Sequence, residues 1–199
     1  MKLPRHIWLR LFAIGGISGA LYDQIHVQGH VLAYPRDDLL QQSWWVAPNF
    51  GLAAVLIALT GGWMGRWAAK LRDAPVDALE LLTNFIWFTA AYLASALLTW
   101  PPPLVMALFF VTWLARVLPR RDRVPQLVQG VGMALAGTGF EAVLSATGAF
   151  HYLHPDLGHV PFWLPGVYLH GAPLALNWLV RMGAGNREQT VTDSRAAAG

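Results

Sequence analysis

The feature that most constrains this fold is the length of chain without charge. Residues 44–65, 81–115 and 157–180 contain no Asp, Glu, Lys or Arg, and residues 125–152 contain one acid, Glu141. About 20 apolar helical residues cross a hydrocarbon core of about 30 Å, so each run is long enough for a membrane span. Charged residues make up 13% of the chain, against about 25% in a soluble domain. A soluble globular fold is therefore excluded.

We predict an all-α, polytopic membrane protein with six transmembrane helices. The prolines at 101–103 divide the longest run, because proline cannot continue a helix, and no run alternates like a membrane strand. The helices are predicted at about residues 7–25, 44–65, 78–99, 102–118, 126–149 and 162–181. Residues 1–182 should form one transmembrane domain, and the small polar residues 183–199 a disordered tail. The basic start and first apolar stretch also fit a signal peptide, which stays open as an alternative.

The distribution of basic residues orients the chain. Of the 14 Lys and Arg residues, 13 fall on the side of both termini and only Arg36 on the other. This bias predicts cytoplasmic termini. The net charge of +3 then gives no reason to expect a nucleic-acid partner, because the positive charge is spread over short loops. The 12 Arg against 2 Lys suggest a bacterial source, hence the bacterial inner membrane, or the endoplasmic reticulum membrane if the source is eukaryotic.

Small residues predict close helix contacts within the bundle. Gly15 and Gly19 form one GxxxG pair, and Gly61 and Gly65 form another. On helix 5, small residues recur every three or four positions on the face that carries Glu141. Glu141 should therefore face another helix rather than lipid.

Glu141 is the leading functional candidate, because an acid inside a membrane is costly. His170 lies at a similar depth on the next, antiparallel helix, so we predict a hydrogen bond between the two. The alternative is that each group only satisfies a packing contact. Gln129, Asn84 and Trp87 are weaker candidates for ligand contacts, and Asn84 more often makes an interhelical hydrogen bond.

Catalytic and metal-binding patterns are weak. No P-loop, GxSxG, HExxH or dinucleotide fingerprint is present, so we predict no catalytic residue and no cofactor. Cysteine is absent, which excludes thiol ligands and disulfides. His26 and His30, and the histidines of the last outer loop, could contribute to a metal site only if they converged, and we predict none.

Two blocks of sequence resemble the Insig family. Residues 43–51 read Ser-Trp-Trp-Val-Ala-Pro-Asn-Phe-Gly and match the family's Trp-Trp-Val-x-Pro-x-x-Gly through Trp44, Trp45, Pro48 and Gly51. The second block contains Gly-Ala-Phe-His-Tyr at 148–152, Pro-Asp at 155–156 and Trp-Leu-Pro at 163–165. The matched residues of this block and of helix 6 are Trp163, Leu164, Pro165, Gly171 and Asn177.

The resemblance implies a six-span, non-enzymatic protein of the sterol-homeostasis family with a regulatory or sensing role. It implies a cavity between helices that admits a sterol- or diacylglycerol-like membrane lipid, and we expect helices 1, 3, 4 and 5 to form its walls. Glu141 and His170 are not part of the family pattern, and we expect them to contact the head group because of their position inside the membrane. Asp122 and Arg123 match half of the family's Asp-Arg-Ser-Arg run and suggest contact with a membrane-protein partner. A homo-oligomer is compatible with the glycine faces. The alternative function is a membrane enzyme or proton-coupled carrier using Glu141 and His170.

Overall fold

The computed structural model describes the backbone of residues 5–36 and 38–196, and side chains as far as residue 182. All six predicted helices are present in this part of the chain. They are α1 (Arg5–Gln28), α2 (Val46–Leu71), α3 (Ala78–Leu97), α4 (Pro102–Val117), α5 (Arg123–Ala146) and α6 (Leu164–Ala196). The predicted all-α architecture is therefore confirmed.

The helix ends follow local chemistry. Asp77 precedes α3 and its carboxylate accepts a hydrogen bond of 2.7 Å from the backbone N–H of Glu80, which satisfies a free donor of the first turn. Pro102 begins α4, where a missing N–H costs nothing. Helix α2 extends six residues beyond the predicted boundary at 65, to Leu71.

Helix α6 also runs further than predicted. Its backbone is helical to Ala196, whereas the sequence predicts a helix end near 181 and a polar tail beyond it. The side chains of residues 183–196, and residues 197–199 entirely, lie outside the described part of the structure. The disordered tail and the single domain over residues 1–182 therefore stay predictions.

Helix α6 is the central element of the bundle. It contacts α2, α3, α4 and α5, while α1 packs on α2 and α3. Ala172, Leu176 and Asn177 of α6 are completely buried. A helix surrounded in this way carries its polar side chains inside the protein, where each one needs a partner.

The two predicted GxxxG pairs both lie at helix contacts. A Cβ atom added to Gly15 would collide with Ala54 of α2, and one added to Gly61 would lie 2.6 Å from Leu179 of α6. Gly65 likewise faces Leu179. Glycine lets these helix backbones approach more closely than any other residue would.

The outer surface of the bundle is apolar. Each helix exposes at least one large apolar side chain, and Leu79 of α3 and Leu135 of α5 are 70% and 73% exposed. By length and hydropathy, α2 and α5 meet the requirement for a membrane span among the described helices, and α4 is apolar but only 16 residues long. Such a surface is stable in hydrocarbon and unfavourable in water.

A short strand pair closes the outer end. Strands β1 (Leu32–Ala33) and β2 (His151–Tyr152) pair antiparallel, with Leu32 opposite Tyr152. They lie in the connections after α1 and after α5, outside the predicted helices. This pairing fixes Tyr152 near the end of α5.

Candidate functional site

Glu141 of α5 faces the protein interior, as the small-residue face predicts. Its two carboxylate oxygens accept hydrogen bonds from the hydroxyls of Tyr152 and Tyr168. The ring of Tyr168 also packs on Gly137, one turn before Glu141. Two hydroxyl donors satisfy the acid within the bundle, so Glu141 joins α5 to α6 and to β2.

The predicted hydrogen bond between Glu141 and His170 is wrong. His170 instead contacts α4, where its Nε2 lies 3.1 Å from the carbonyl oxygen of Phe109 and 3.2 Å from Oγ1 of Thr112. The partner of Glu141 on α6 is Tyr168. Two positions along a helix rotate the side chain by about 200°, so His170 points away from α5.

A second buried acid lies near the outer end. Asp23 of α1 accepts hydrogen bonds from the Tyr34 hydroxyl, at 2.9 Å, and from Nε2 of Gln42, at 2.5 Å. These bonds attach the first outer loop to α1. The sequence analysis did not select Asp23, although an acid inside the first apolar run was a usable signal.

Several residues of the resemblance lie at the same outer end. Trp45 stands 5.7 Å from the ring of Tyr34, and Trp163 stands 5.6 Å from the ring of His26, between ring centres. Nε2 of His26 lies 2.8 Å from Oγ of Ser95. Trp44 is exposed, and Leu164 begins α6 as a buried residue. Among the described residues, no three His, Asp or Glu side chains converge as a metal site would require.

The inner end carries a cluster of ion pairs. The inner ion-pair cluster comprises Arg72, Glu80, Arg120 and Asp122, and both arginines bind both acids. Arg72 approaches Asp122 to 3.0 Å, and Nε of Arg120 approaches it to 2.9 Å. The cluster joins the α2–α3 connection, the start of α3 and the α4–α5 connection.

Two amides extend this cluster into the bundle. Nδ2 of Asn177 donates to Glu80 at 2.8 Å, and Nε2 of Gln126 lies 3.3 Å from Oδ1 of Asn177 and 3.2 Å from Asp122. Asn177 therefore makes the interhelical hydrogen bonds that membrane amides usually make. Through Asn177, the buried part of α6 is connected to the inner loops.

Asp122 is a buried member of the cluster. Its side chain is 2% exposed. Burial raises the pKa of this carboxyl. The hydrogen bonds from Arg120 and Gln126 and the charges of Arg120 and Arg72 lower it by more, so the pKa lies below its ordinary value. Arg123, the other residue predicted to contact a partner, is exposed at the start of α5. A partner would meet Arg123 and not Asp122, and the partner contact stays a prediction.

A groove opens between α3 and α4 on the inner half of the bundle. This α3–α4 groove has a volume of about 360 Å³, and Pro173 of α6 contributes to its floor. Helices α1 and α5, expected in the cavity wall, contribute no residue to its lining, and Gln129 is not part of it either. The polar and aromatic side chains that line its centre are Thr83, Asn84, Trp87 and Arg116.

Arg116 is the central cation of the groove. One of its amino groups donates to Oδ1 of Asn84, and the other lies 3.2 Å from Nδ1 of His170. The guanidinium carbon stands 4.9 Å from the centre of the Trp87 ring, within the range of a cation–π contact. Trp87 also stacks on His170, with 6.0 Å between ring centres. Asn84, Trp87 and His170, three of the predicted ligand-contacting residues, therefore meet at Arg116.

Arg116 was not predicted as a ligand-binding residue, because from sequence it was grouped with the basic residues of the inner loop. Its signal was its position, since it falls in the last turn of α4, one turn after Thr112 on the same face. The residues that the sequence analysis did select therefore belong to two separate places. Glu141 lies in the outer half, while Asn84, Trp87 and His170 surround Arg116. The fifth candidate, Gln129, is not part of the groove.

Comparisons with known proteins agree with the fold. The chain is similar to insulin-induced gene 1 protein of Gallus gallus, with 22% identity over 165 residues, which are 81% of this chain and 66% of that protein. It spans just under two thirds of that relative's length. No family model matches the sequence.

A solved structure has the same architecture. The mycobacterial Insig homolog MvINS from Mycobacterium vanbaalenii superposes with a TM-score of 0.68, at 24% identity, over 92% of this chain and 97% of that chain. A cross-linked trimer of an MvINS variant matches equally well. At this identity the likeness supports a shared fold.

Proposed function

We propose that this Insig-like chain is a multi-pass membrane protein that binds a membrane lipid and serves a regulatory or sensing role rather than an enzymatic one. The observation that carries the proposal is the α3–α4 groove. It combines a polar centre, formed by Asn84 and Arg116, with an aromatic wall, Trp87. Ligand sites generally combine apolar walls with a few convergent polar groups.

The surroundings of the groove support a lipid as the ligand. Ile86 of α3 and Val111 of α4 are exposed apolar residues on the two helices that flank it. An acyl chain that lies against these surfaces replaces other hydrocarbon and not water, so its binding gains no hydrophobic driving force. The polar groups of the groove must therefore provide the specificity. The head group would then occupy the groove and the chains would remain in the bilayer.

The proposed topology follows from charge. The start of α1, the C-terminal part of α6 and the inner ion-pair cluster belong, in this proposal, to the end of the bundle with the excess of basic residues, and we assign that end to the cytoplasm. The proposed location is a bacterial inner membrane, or the endoplasmic reticulum membrane in a eukaryote. The apolar residues exposed on all six helices support an integral membrane protein.

Self-association is a further part of the proposal. A variant of the mycobacterial homolog was crystallised as a cross-linked trimer, and we propose that this chain also forms a homo-oligomer. Native mass spectrometry of the protein released from detergent tests this directly. A mass of one protomer under all conditions would contradict it.

The test of lipid binding uses the purified protein. Lipids that survive detergent extraction are identified by mass spectrometry, and added lipids are scored by the shift that they produce in the melting temperature. We expect at least one retained lipid class and an upward shift, because a ligand that binds the folded state stabilises it. The absence of any retained lipid, together with no shift by any lipid, would refute the proposal.

The enzyme or carrier alternative loses its geometric basis. It requires Glu141 and His170 to act together, but their side chains contact different elements. Glu141 contacts α6 and β2, whereas His170 contacts α4. A proton-coupled carrier predicts pH-dependent flux in liposomes that Glu141→Gln abolishes. We expect no pH-dependent flux from the wild-type protein or from Glu141→Gln.

A further inference from the structure

Arg116 points in an unusual direction for an arginine at a helix end. It lies in the last turn of α4, at the inner side, where a long cationic side chain ordinarily extends towards water. Its guanidinium instead contacts Asn84 and Trp87, which lie about 9 and 13 Å along α3 from its inner end. The cation is thus held within the membrane-spanning part of the bundle.

Arg116 also differs from its neighbours in charge balance. Three arginines among the residues that the structure describes are partly buried, namely Arg72, Arg116 and Arg120. Arg72 and Arg120 each bind two carboxylates. Within the described part of the chain, the hydrogen-bond partners of Arg116 are an amide oxygen and an imidazole, and no carboxylate lies within 4.0 Å of it. Neutral partners compensate the desolvation of a partly buried cation less than a carboxylate would.

An unsatisfied donor lies beside this cation. Nδ2 of Asn84 is buried and has no hydrogen-bond partner, while Oδ1 of the same amide binds Arg116. Asn84 as a whole is 4% exposed, and it lines the groove. A buried donor without a partner keeps its desolvation cost uncompensated. One anionic oxygen in the groove can satisfy both the amide and the guanidinium.

The acids near the groove do not fill this role. Glu80 and Asp77 line its inner mouth, but Glu80 binds Arg72 and Arg120, and Asp77 caps α3. Neither pairs with Arg116. Among the described residues, no carboxylate therefore neutralises the charge of Arg116 at the centre of the groove.

We infer that the α3–α4 groove binds the phosphate of an anionic phospholipid through Arg116 and Asn84. This inference rests on the proposed lipid binding and names the class of lipid. The planar guanidinium can form two parallel hydrogen bonds to a phosphate, and the Asn84 amide donates a third. The exposed apolar faces of α3 and α4 favour a phosphate that carries acyl chains over a free phosphate ion.

The experiment compares four ligands on the full chain in detergent. They are phosphatidylglycerol, phosphatidylcholine and diacylglycerol with the same acyl chains, and inorganic phosphate. Apparent affinity is measured by native mass spectrometry and melting temperature by tryptophan fluorescence. The variants are Arg116→Gln, which removes the cation, and Asn84→Asp, which places a carboxylate beside Arg116. The matched control is Arg181→Gln, which removes an exposed cation within α6.

We expect wild type and Arg181→Gln to prefer phosphatidylglycerol over the other three ligands. Arg116→Gln and Asn84→Asp should weaken phosphatidylglycerol binding about tenfold or more, because each removes a hydrogen bond to a charged group. Diacylglycerol binding should be unchanged. Asn84→Asp keeps the fold, because its carboxylate pairs internally with Arg116, so it remains informative if Arg116→Gln does not fold.

Three results would overturn the inference. Phosphatidylcholine or diacylglycerol binding as tightly as phosphatidylglycerol would leave lipid binding intact but remove the anionic class. An equal loss in Arg181→Gln would show general surface attraction. An equal shift with inorganic phosphate would show a site for free anions. If no lipid binds at all, the proposed function itself fails.

Discussion

At the scale of single residues, the partners of each polar side chain depend on its angle around its helix. Tyr168 and His170 are two positions apart on α6, yet Tyr168 binds Glu141 of α5 and His170 contacts Phe109 of α4. Depth along a helix can be estimated from sequence at about 1.5 Å per residue. The angle relative to a neighbouring helix cannot, because it depends on which neighbours pack on each side.

Ion pairs at the inner end differ in burial, and this difference predicts their contributions to stability. We expect Asp122→Asn to lower the free energy of unfolding by about 3 kcal/mol, because it removes a buried carboxylate from two arginines. Asp73→Asn is the control, since the Asp73–Arg121 pair is 68% and 74% exposed, and it should cost less than about 1 kcal/mol. Denaturant titration in detergent measures both. Equal losses would contradict the buried cluster as a source of stability.

The same residue predicts a dependence on pH. The pKa of Asp122 is lowered in the folded protein, so the stability it contributes is complete above the ordinary aspartate pKa of about 3.9 and is lost as pH falls through the lower folded value. The difference in melting temperature between wild type and Asp122→Asn should therefore be constant from about pH 5 to 7 and shrink below about pH 4. A difference that grows on acidification would have the wrong sign.

At the scale of helices, glycine positions determine how closely neighbours approach. A Cβ atom on Gly16 of α1 would lie 2.7 Å from the carbonyl oxygen of Ala47 in α2, which is a backbone atom and cannot rotate away. On α5, a Cβ atom on Gly139 would meet nothing within 4 Å. The two glycines have the same local propensity and opposite surroundings.

This contrast gives a paired prediction. Gly16→Ala should lower the free energy of unfolding by about 2 kcal/mol, because α1 must move away from α2. Gly139→Ala should cause no loss, and a gain of up to about 1 kcal/mol follows from helix propensity. Thermal melting of both variants in one detergent checks the pair. Tolerance of Gly16→Ala without a shift would contradict the close α1–α2 contact.

At the scale of the whole molecule, orientation and fold are separate properties. The packing of the six helices is the same whichever end faces the cytoplasm, so orientation is a property of the charge distribution and not of the fold. The assignment comes from the distribution of Lys and Arg, 13 of which lie at one end by the predicted spans.

The absence of cysteine makes this topology directly testable. Arg123→Cys and His154→Cys each introduce one thiol at an exposed position, at the start of α5 and in the last outer loop. In intact cells a membrane-impermeant maleimide should label His154→Cys, and Arg123→Cys should react only after permeabilisation. The reverse pattern would invert the proposed orientation, and equal labelling of both in intact cells would contradict a spanning bundle.

The sequence by itself determined the number of helices, the approximate position at which each begins and their apolar outer surfaces. Hydrocarbon offers no partner to backbone polar groups, so uncharged runs of this length have few structures available. The two GxxxG contacts and the inward-facing Glu141 were also predictable, because they depend only on periodicity along one helix.

Only the tertiary structure decided which polar groups meet. Asn84, Arg116 and His170 come from three helices and are separated by more than 30 residues along the chain, so no local pattern brings them together. Helix packing sets their distances and excludes acids from the position beside Arg116. The central position of α6 was likewise visible only from its four neighbours. A helix surrounded by protein and a helix that faces lipid are both largely apolar, so their sequences do not distinguish them.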